Sequence, residues 1–230
     1  MARMLILLLM SEALSQKLFG RFIVLDGPDG SGKSTQIRLL ADSVTQAGVQ
    51  CVSVRDPGGT AIGDRIRHIL LDRDSQEMSV ECELMLYMAS RAQLVSQIIR
   101  PSMEQGKCVL SDRYISSTIA YQGAGGMAAT AVRTVADVAV GGLLPDLTII
   151  LDMDPEKAFG RITGRADQAG PVLDRMEMKA LSFHKKVREM FLEQARQAPD
   201  TFAVVDASAD VEKVHSSVMK ALEAWRPASR

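Results

Sequence analysis

Gly27-Pro28-Asp29-Gly30-Ser31-Gly32-Lys33-Ser34 fits G-x-x-x-x-G-K-[ST] and stands between an apolar run, Phe22 to Leu25 (FIVL), and a stretch of helical period carrying Ile37, Leu40 and Val44. A strand, this loop and a helix in that order make a phosphate-binding P-loop. The backbone has to curl so that its N–H groups converge on phosphate oxygens, and a Cβ at the glycines would block that approach. The following helix adds the positive end of its dipole. In such a loop Lys33 bridges the β- and γ-phosphates, the Ser34 hydroxyl ligates Mg²⁺ and Thr35 reaches the α-phosphate. The motif implies a nucleoside triphosphate, ATP or GTP. It does not name a reaction, since loops of this kind serve both hydrolysis and transfer.

Beyond the loop, short apolar runs alternate with longer helical patterns from Arg21 onward, the signature of a parallel sheet with helices on both faces. Five strands are expected: Phe22 to Leu25, Cys51 to Val54, Cys108 to Leu110, Leu147 to Leu151 and Phe202 to Val205. Ile62, Ile66 and Ile69 mark a second crossover helix. A long central helix is expected from an N-cap at Ser79 to about Arg100, where Pro101 breaks or kinks it. Residues 161 to 175, rich in Arg, Asp and Gly, read as an irregular, mobile lid. The expected architecture is a three-layer α/β/α domain over residues 19 to 230. Residues 1 to 18 are an extension outside the fold, and Met10 is an alternative start, so that removing residues 1 to 9 leaves activity unchanged.

Bulk properties narrow the function classes. The 230 residues with 47% hydrophobic content suit one α/β domain. Lys plus Arg number 27 against 28 acidic residues, which leaves no basic footprint for nucleic acid or an anionic membrane, so a bound anion must be held by local charges. Cys51, Cys82 and Cys108 lack metal or redox spacing and read as buried thiols. Met4 to Met10 (MLILLLM) is too short to span a bilayer and has no A-x-A-like cleavage site, which favours a cytoplasmic protein.

Arg55-Asp56-Pro57-Gly58-Gly59-Thr60 follows the second strand, and Ser111-Asp112-Arg113-Tyr114 the third. Ligands of open α/β sheets collect beyond the strand C-terminal ends, so Arg55 and Arg113 are expected to converge on the P-loop crevice and grip a second phosphate. Together with LMLYMASRAQLV, SDRYISSTIAYQG, LDMDPEKAFGR and VVDAS, in order and spacing from about Phe22 to Trp225, these motifs resemble the thymidylate kinases.

The resemblance implies a nucleoside monophosphate kinase fold of the P-loop NTPase class, a homodimer, and transfer of the γ-phosphoryl group of Mg·ATP to dTMP. It places Asp29 against the acceptor's 3′-hydroxyl, Tyr87 in a stack on the base, and Arg91 on the thymine O4. Ser117, Thr118 and Gln122 fall at the N3 edge and ribose side, and Tyr121 where its ring crowds a 2′-hydroxyl. Arg165 takes the lid position of the catalytic arginine of bacterial members, complementary to Gly30 in the P-loop, where the eukaryotic subclass carries arginine. Arg161 lies against adenine, which Asp206, Ala207 and Ser208 border. Arg175 helps close the lid, and Asp112 orients metal-bound water or the acceptor phosphate. Two departures stand out: Asp56 replaces the usual Glu of the REPGGT form, and the segment from Ala166 to Leu173 is longer than the common bacterial lid. A kinase for another monophosphate would need different base contacts, and a guanine-nucleotide switch would need the N-K-x-D motif, which is missing.

Overall fold

The computed structural model describes residues 13–169 and 174–227, those of 164–169 by backbone only. Strands β1 (Phe22–Asp26), β2 (Cys51–Arg55), β3 (Cys108–Asp112), β4 (Leu147–Asp152) and β5 (Phe202–Asp206) form one parallel sheet in the order β2-β3-β1-β4-β5. All five expected strands are present, and each runs one or two residues further than its apolar stretch, ending on Asp26, Arg55, Asp112, Asp152 or Asp206. The extra residues stay in the ladder because parallel pairing satisfies their backbone whatever their side chains.

Alternation along β1 divides the core into two layers. Ile23 and Leu25 join one apolar cluster with α1 (Lys33–Gln46) and α9 (Val211–Ala224). Phe22 and Val24 join the other with α3 (Val80–Leu94) and α6 (Ala129–Val140). Helix α2 (Ala61–Leu71) packs on α3, and α5 (Ile115–Ala124) packs on α8 (Leu181–Gln197). A third cluster, with Tyr121, Met176, Val187 and Phe191, lies where α5 and α8 meet.

The Ser79 hydroxyl caps α3 by accepting from the Cys82 amide, as the sequence suggests. Pro101 does not end the helix, however. A π-helical turn, Val95–Ile99, carries it into α4 (Arg100–Glu104), with proline in the first turn of the new segment, where its missing N–H leaves no gap.

Three other expectations are corrected. The segment from residue 161 is helical to Ala169, as the end of α7 (Pro155–Ala169). Asp154 caps that helix by accepting from the Glu156 amide, and Ala158 and Ile162, one turn apart, bury one face. The rest of the supposed lid, residues 170–173, lies outside the described residues. Residues 13–18 are part of the fold: they are helical, Leu18 is fully buried in the α1/α9 cluster, Leu14 packs against it, and Lys17 donates to the Leu222 carbonyl at 2.8 Å. Of the cysteines only Cys108 is buried; Cys51 is half-buried and Cys82 is exposed in the first turn of α3.

Candidate active site

The loop after β1 carries Gly27, Gly30 and Gly32 at φ of 134°, 78° and 90°, and Gly32 is the N-cap of α1. A Cβ on Gly27 would stand 2.5 Å from the Leu151 carbonyl oxygen, and one on Gly30 would overlap the Ala158 carbonyl at the start of α7. The cradle is therefore closed against two neighbouring backbones. Lys33 is buried and donates back to the carbonyls of Gly27 at 3.0 Å and Pro28 at 2.7 Å. Burial, and then the nearby Arg113, lower its pKa to about 8. Ser34 and Thr35 face outward from the first turn of α1. The Ser34 hydroxyl donates to Asp112 Oδ2 at 2.7 Å, which pairs two hard oxygen ligands beside the loop. Among the described residues no group of three or more His, Cys, Asp or Glu could hold a metal unaided.

Arg113 connects the loop to a second site. Its backbone has φ 72°, a left-handed turn that sends the guanidinium across the β1 end. There it donates to Gly27 O at 3.2 Å, Ser117 Oγ at 2.8 Å and Asp29. Tyr121 also donates to Asp29, at 2.6 Å. Burial opposes ionisation of Asp29, but Arg113, Lys33 and the Tyr121 hydroxyl outweigh it and hold the carboxyl well below the usual carboxylate range. Beneath them Asp26 is fully buried and accepts from Ser116 and Ser117, each at 2.6 Å.

From Asp29 and Arg113 opens a cleft lined also by Tyr87, Arg91, Ser117, Thr118, Tyr121 and Gln122. Eight of the sequence-derived acceptor residues thus meet in one cavity. Arg91, 1% exposed, is fixed by Asp56 Oδ2 at 2.5 Å, the Tyr114 carbonyl at 3.2 Å and Thr118 Oγ1 at 3.0 Å. Burial raises the Asp56 pKa above the usual range even though Arg91 opposes it, and Asp56 Oδ1 has no hydrogen-bond partner among the described residues. The shorter Asp in place of Glu therefore still reaches Arg91, through one oxygen only.

Arg55 is not in this cleft. It pairs with Asp64 at 3.1 Å and lines an adjoining groove with Arg67 and His68, so the expected convergence of Arg55 with Arg113 is not met. Arg67 lines both cavities and donates to the Pro57 carbonyl at 3.0 Å. Sequence reasoning passed it over because it stands inside α2, away from any strand end. The helical spacing of Ile62, Ile66 and Ile69 gives no signal for it, since Ile62 and Ile69 are exposed and α2 buries Gly63 and Leu70 instead. Arg175 is buried, donating to Glu83 Oε2 and to the Leu70 carbonyl at 3.0 Å, while its neighbours Asp174 and Met176 line the cleft. Glu83 and Asp26 were also missed.

On the other side of the loop Arg161 donates to the carbonyls of Ala207 at 3.1 Å and Ser208 at 3.3 Å, and Asp206 Oδ1 accepts from the Ser208 amide at 2.8 Å. Arg161, Asp206, Ala207 and Ser208 are thus drawn together by hydrogen bonds. Arg165 lies on α7; its side chain is outside the described residues.

Comparison with known proteins adds an independent line. A family model described as "Thymidylate kinase" matches residues 25–218. The thymidylate kinase of Pelobacter propionicus is 45% identical over 202 residues, 87% of this chain and 92% of the relative. That of an Exiguobacterium species is 43% identical over 201 residues, again 87% and 92%. The crystal structure of thymidylate kinase from Ehrlichia chaffeensis superposes with a TM-score of 0.71 at 30% identity, covering 89% of this chain and 99% of the other.

Proposed function

The chain belongs to the thymidylate kinase family, as an ATP-dependent phosphotransferase that converts dTMP to dTDP, and from that premise we propose how its own residues carry the reaction. One observation supports the reading above others: the cleft lined by Tyr87, Arg91, Thr118 and Gln122 ends at Asp29 and Arg113, against the P-loop that holds Lys33. An acceptor whose base lies at the far end brings its phosphate to the γ-phosphate of ATP.

In this reading the base stacks on Tyr87 and its O4 accepts from Arg91. Asp29 accepts from the 3′-hydroxyl, and the Tyr121 ring excludes a 2′-hydroxyl. Arg113 releases Asp29 in part and grips the acceptor phosphate, with Arg67 facing the same space. Lys33 leaves the Gly27 and Pro28 carbonyls for the β- and γ-oxygens. The acceptor phosphate oxygen is an adequate nucleophile at neutral pH, so the work is positioning and charge compensation. Arg165 supplies charge to the γ-oxygens, and its helix starts in contact with the P-loop at Gly30. Arg161 closes the adenine side with Ala207 and Ser208.

The cofactor is Mg²⁺, for which Ser34 Oγ and Asp112 Oδ2 are suitable hard donors, with few protein ligands and room for water and phosphate oxygens. Bound there, it would supply positive charge against the β- and γ-phosphate oxygens. We propose cytoplasmic residence; no described helix is long and apolar enough to cross a membrane. A homodimer is the proposed assembly, supported by exposed Ile69, Met85 and Val138 on α2, α3 and α6, neighbouring helices that pack through α3.

The test incubates purified protein with Mg·ATP and each nucleoside monophosphate separately. Rapid turnover is expected with dTMP, slower turnover with dUMP, and almost none with Lys33→Ala. Equal rates with adenylate or cytidylate would overturn the base assignment.

A further inference from the structure

Gln122 is 1% exposed and lines the acceptor cleft, and its two amide atoms have different surroundings. Nε2 donates to Glu83 Oε1 at 2.6 Å, whereas Oε1 is buried with no hydrogen-bond partner among the described residues. The neighbour dictates this orientation. Glu83 Oε2 accepts from Arg175, and a carboxylate held by a guanidinium accepts only, so the amide must turn its NH₂ toward it. Leu71 and Met176, on the same cavity wall, offer no side-chain donor to Oε1. A buried acceptor is rarely left unpaired, which points to a donor on the ligand.

We propose that Glu83 is a specificity-determining positioning residue. By pinning the Gln122 amide it presents Oε1 as an acceptor to a pyrimidine whose N3 carries a proton, and it rejects a base whose N3 is itself an acceptor. Arg175 keeps Glu83 in place from the segment after α7, anchored on the Leu70 carbonyl at the end of α2. The inference rests on the reading of the cleft as the base site and goes one layer behind it. Arg91 senses the O4 position; the Arg175–Glu83–Gln122 chain senses N3. Thymine and uracil satisfy both, whereas cytosine meets Oε1 with a lone pair and no proton between.

Glu83→Gln gives the sharpest test. Arg175 can only donate, so it takes the oxygen of the introduced amide. The introduced NH₂ then faces Gln122, which must accept through Oε1 and turn its own NH₂ into the cleft. The expected result is a fall of about tenfold or more in the ratio of kcat/KM for dTMP to that for dCMP, with the dTMP to dUMP ratio unchanged because both bases carry the N3 proton. The double variant Glu83→Met/Arg175→Met replaces the ion pair with apolar chains, a change that folded proteins often tolerate. It frees the amide, is expected to lower the same ratio, and carries the test if Glu83→Gln fails to fold. The proposal is overturned if the folded variants lose dTMP activity with the dTMP to dCMP ratio intact, the mark of a merely structural role. Gln122→Met separates the two levels. A ratio unchanged by that substitution removes the base-site reading and this inference with it; a ratio lowered there but in neither Glu83 variant removes this inference alone.

Discussion

Lys33 shows what the site does before substrate arrives. Its ammonium occupies the P-loop by bonding to two loop carbonyls, and Arg113 is held by Asp29 and the Gly27 carbonyl, so each cation has an internal partner that a phosphate must replace. Burial, then Arg113, bring Lys33 down to about 8, and this gives ATP affinity a pH dependence of known sign. Below pH 8 the side chain is already protonated and binding takes up no proton there. Above pH 8 the free protein has lost that proton, which the bound phosphates require, so each further pH unit weakens binding by up to about tenfold. Calorimetric Kd values for ATP should be flat from pH 6.5 to 7.5 and rise from pH 8 to 9.5; a flat profile across the whole range contradicts the assignment. The P-loop residues were readable from sequence because their roles depend on spacing within one loop. Arg67 was not, because its access to the cleft is set by how α2 packs on α3, and Arg55 was misjudged because Asp64, nine positions on, captures its guanidinium.

The elements explain which parts of the expected fold survived. Every strand is legible from its β-branched apolar core, yet the residues that matter for chemistry begin where that pattern stops, at Asp26 and Asp112. Hydrophobic periodicity marks the buried stretch and says nothing about the polar residues that parallel pairing carries beyond it. In α7 the composition and the structure diverge the other way. Arg, Asp and Gly content suggested an irregular segment, but the Asp154 cap and the buried pair Ala158 and Ile162 sustain a helix. That helix is seated on the P-loop, since a Cβ on Gly30 would overlap the Ala158 carbonyl, and Gly30 itself has φ 78°. Gly30→Ala must then shift either the cradle or the helix bearing Arg165. Stopped-assay kinetics should show kcat/KM for ATP lower by at least about a hundredfold, roughly the loss of one well-placed donor to the transition state. Activity within threefold of the parent would show that α7 and the loop move independently.

At the scale of the molecule, chemistry and stability are divided between the two edges of the sheet. The C-terminal edge gathers the buried charges of Asp26, Asp56 and Arg91 beside half-buried Arg113, and the near-neutral total of −1 shows that the anion site depends on local placement. At the edge where the strands begin, apolar packing sits beside the ion pair of Arg21 and Asp146 at 2.8 Å. Leu18, just before β1, is fully buried with Leu222 and Trp225, while Lys17 donates to the carbonyls of Leu222 and Glu223 at the end of α9, where a cation suits the helix dipole. A chain starting at residue 19 should therefore be less stable than one starting at residue 13 by about 2–4 kcal/mol, from one buried leucine together with the Lys17 contacts. Because these contacts lie at the far edge from the cleft, KM for both substrates and kcat should agree between the two chains at a temperature where both are folded. Urea denaturation and steady-state kinetics on the pair decide it. Equal unfolding free energies would mean that α1 and α9 close the core without the N-terminal turn. A shift in KM for dTMP would mean that the two edges are coupled through the sheet, and the division between a stabilising edge and a binding edge would then be wrong.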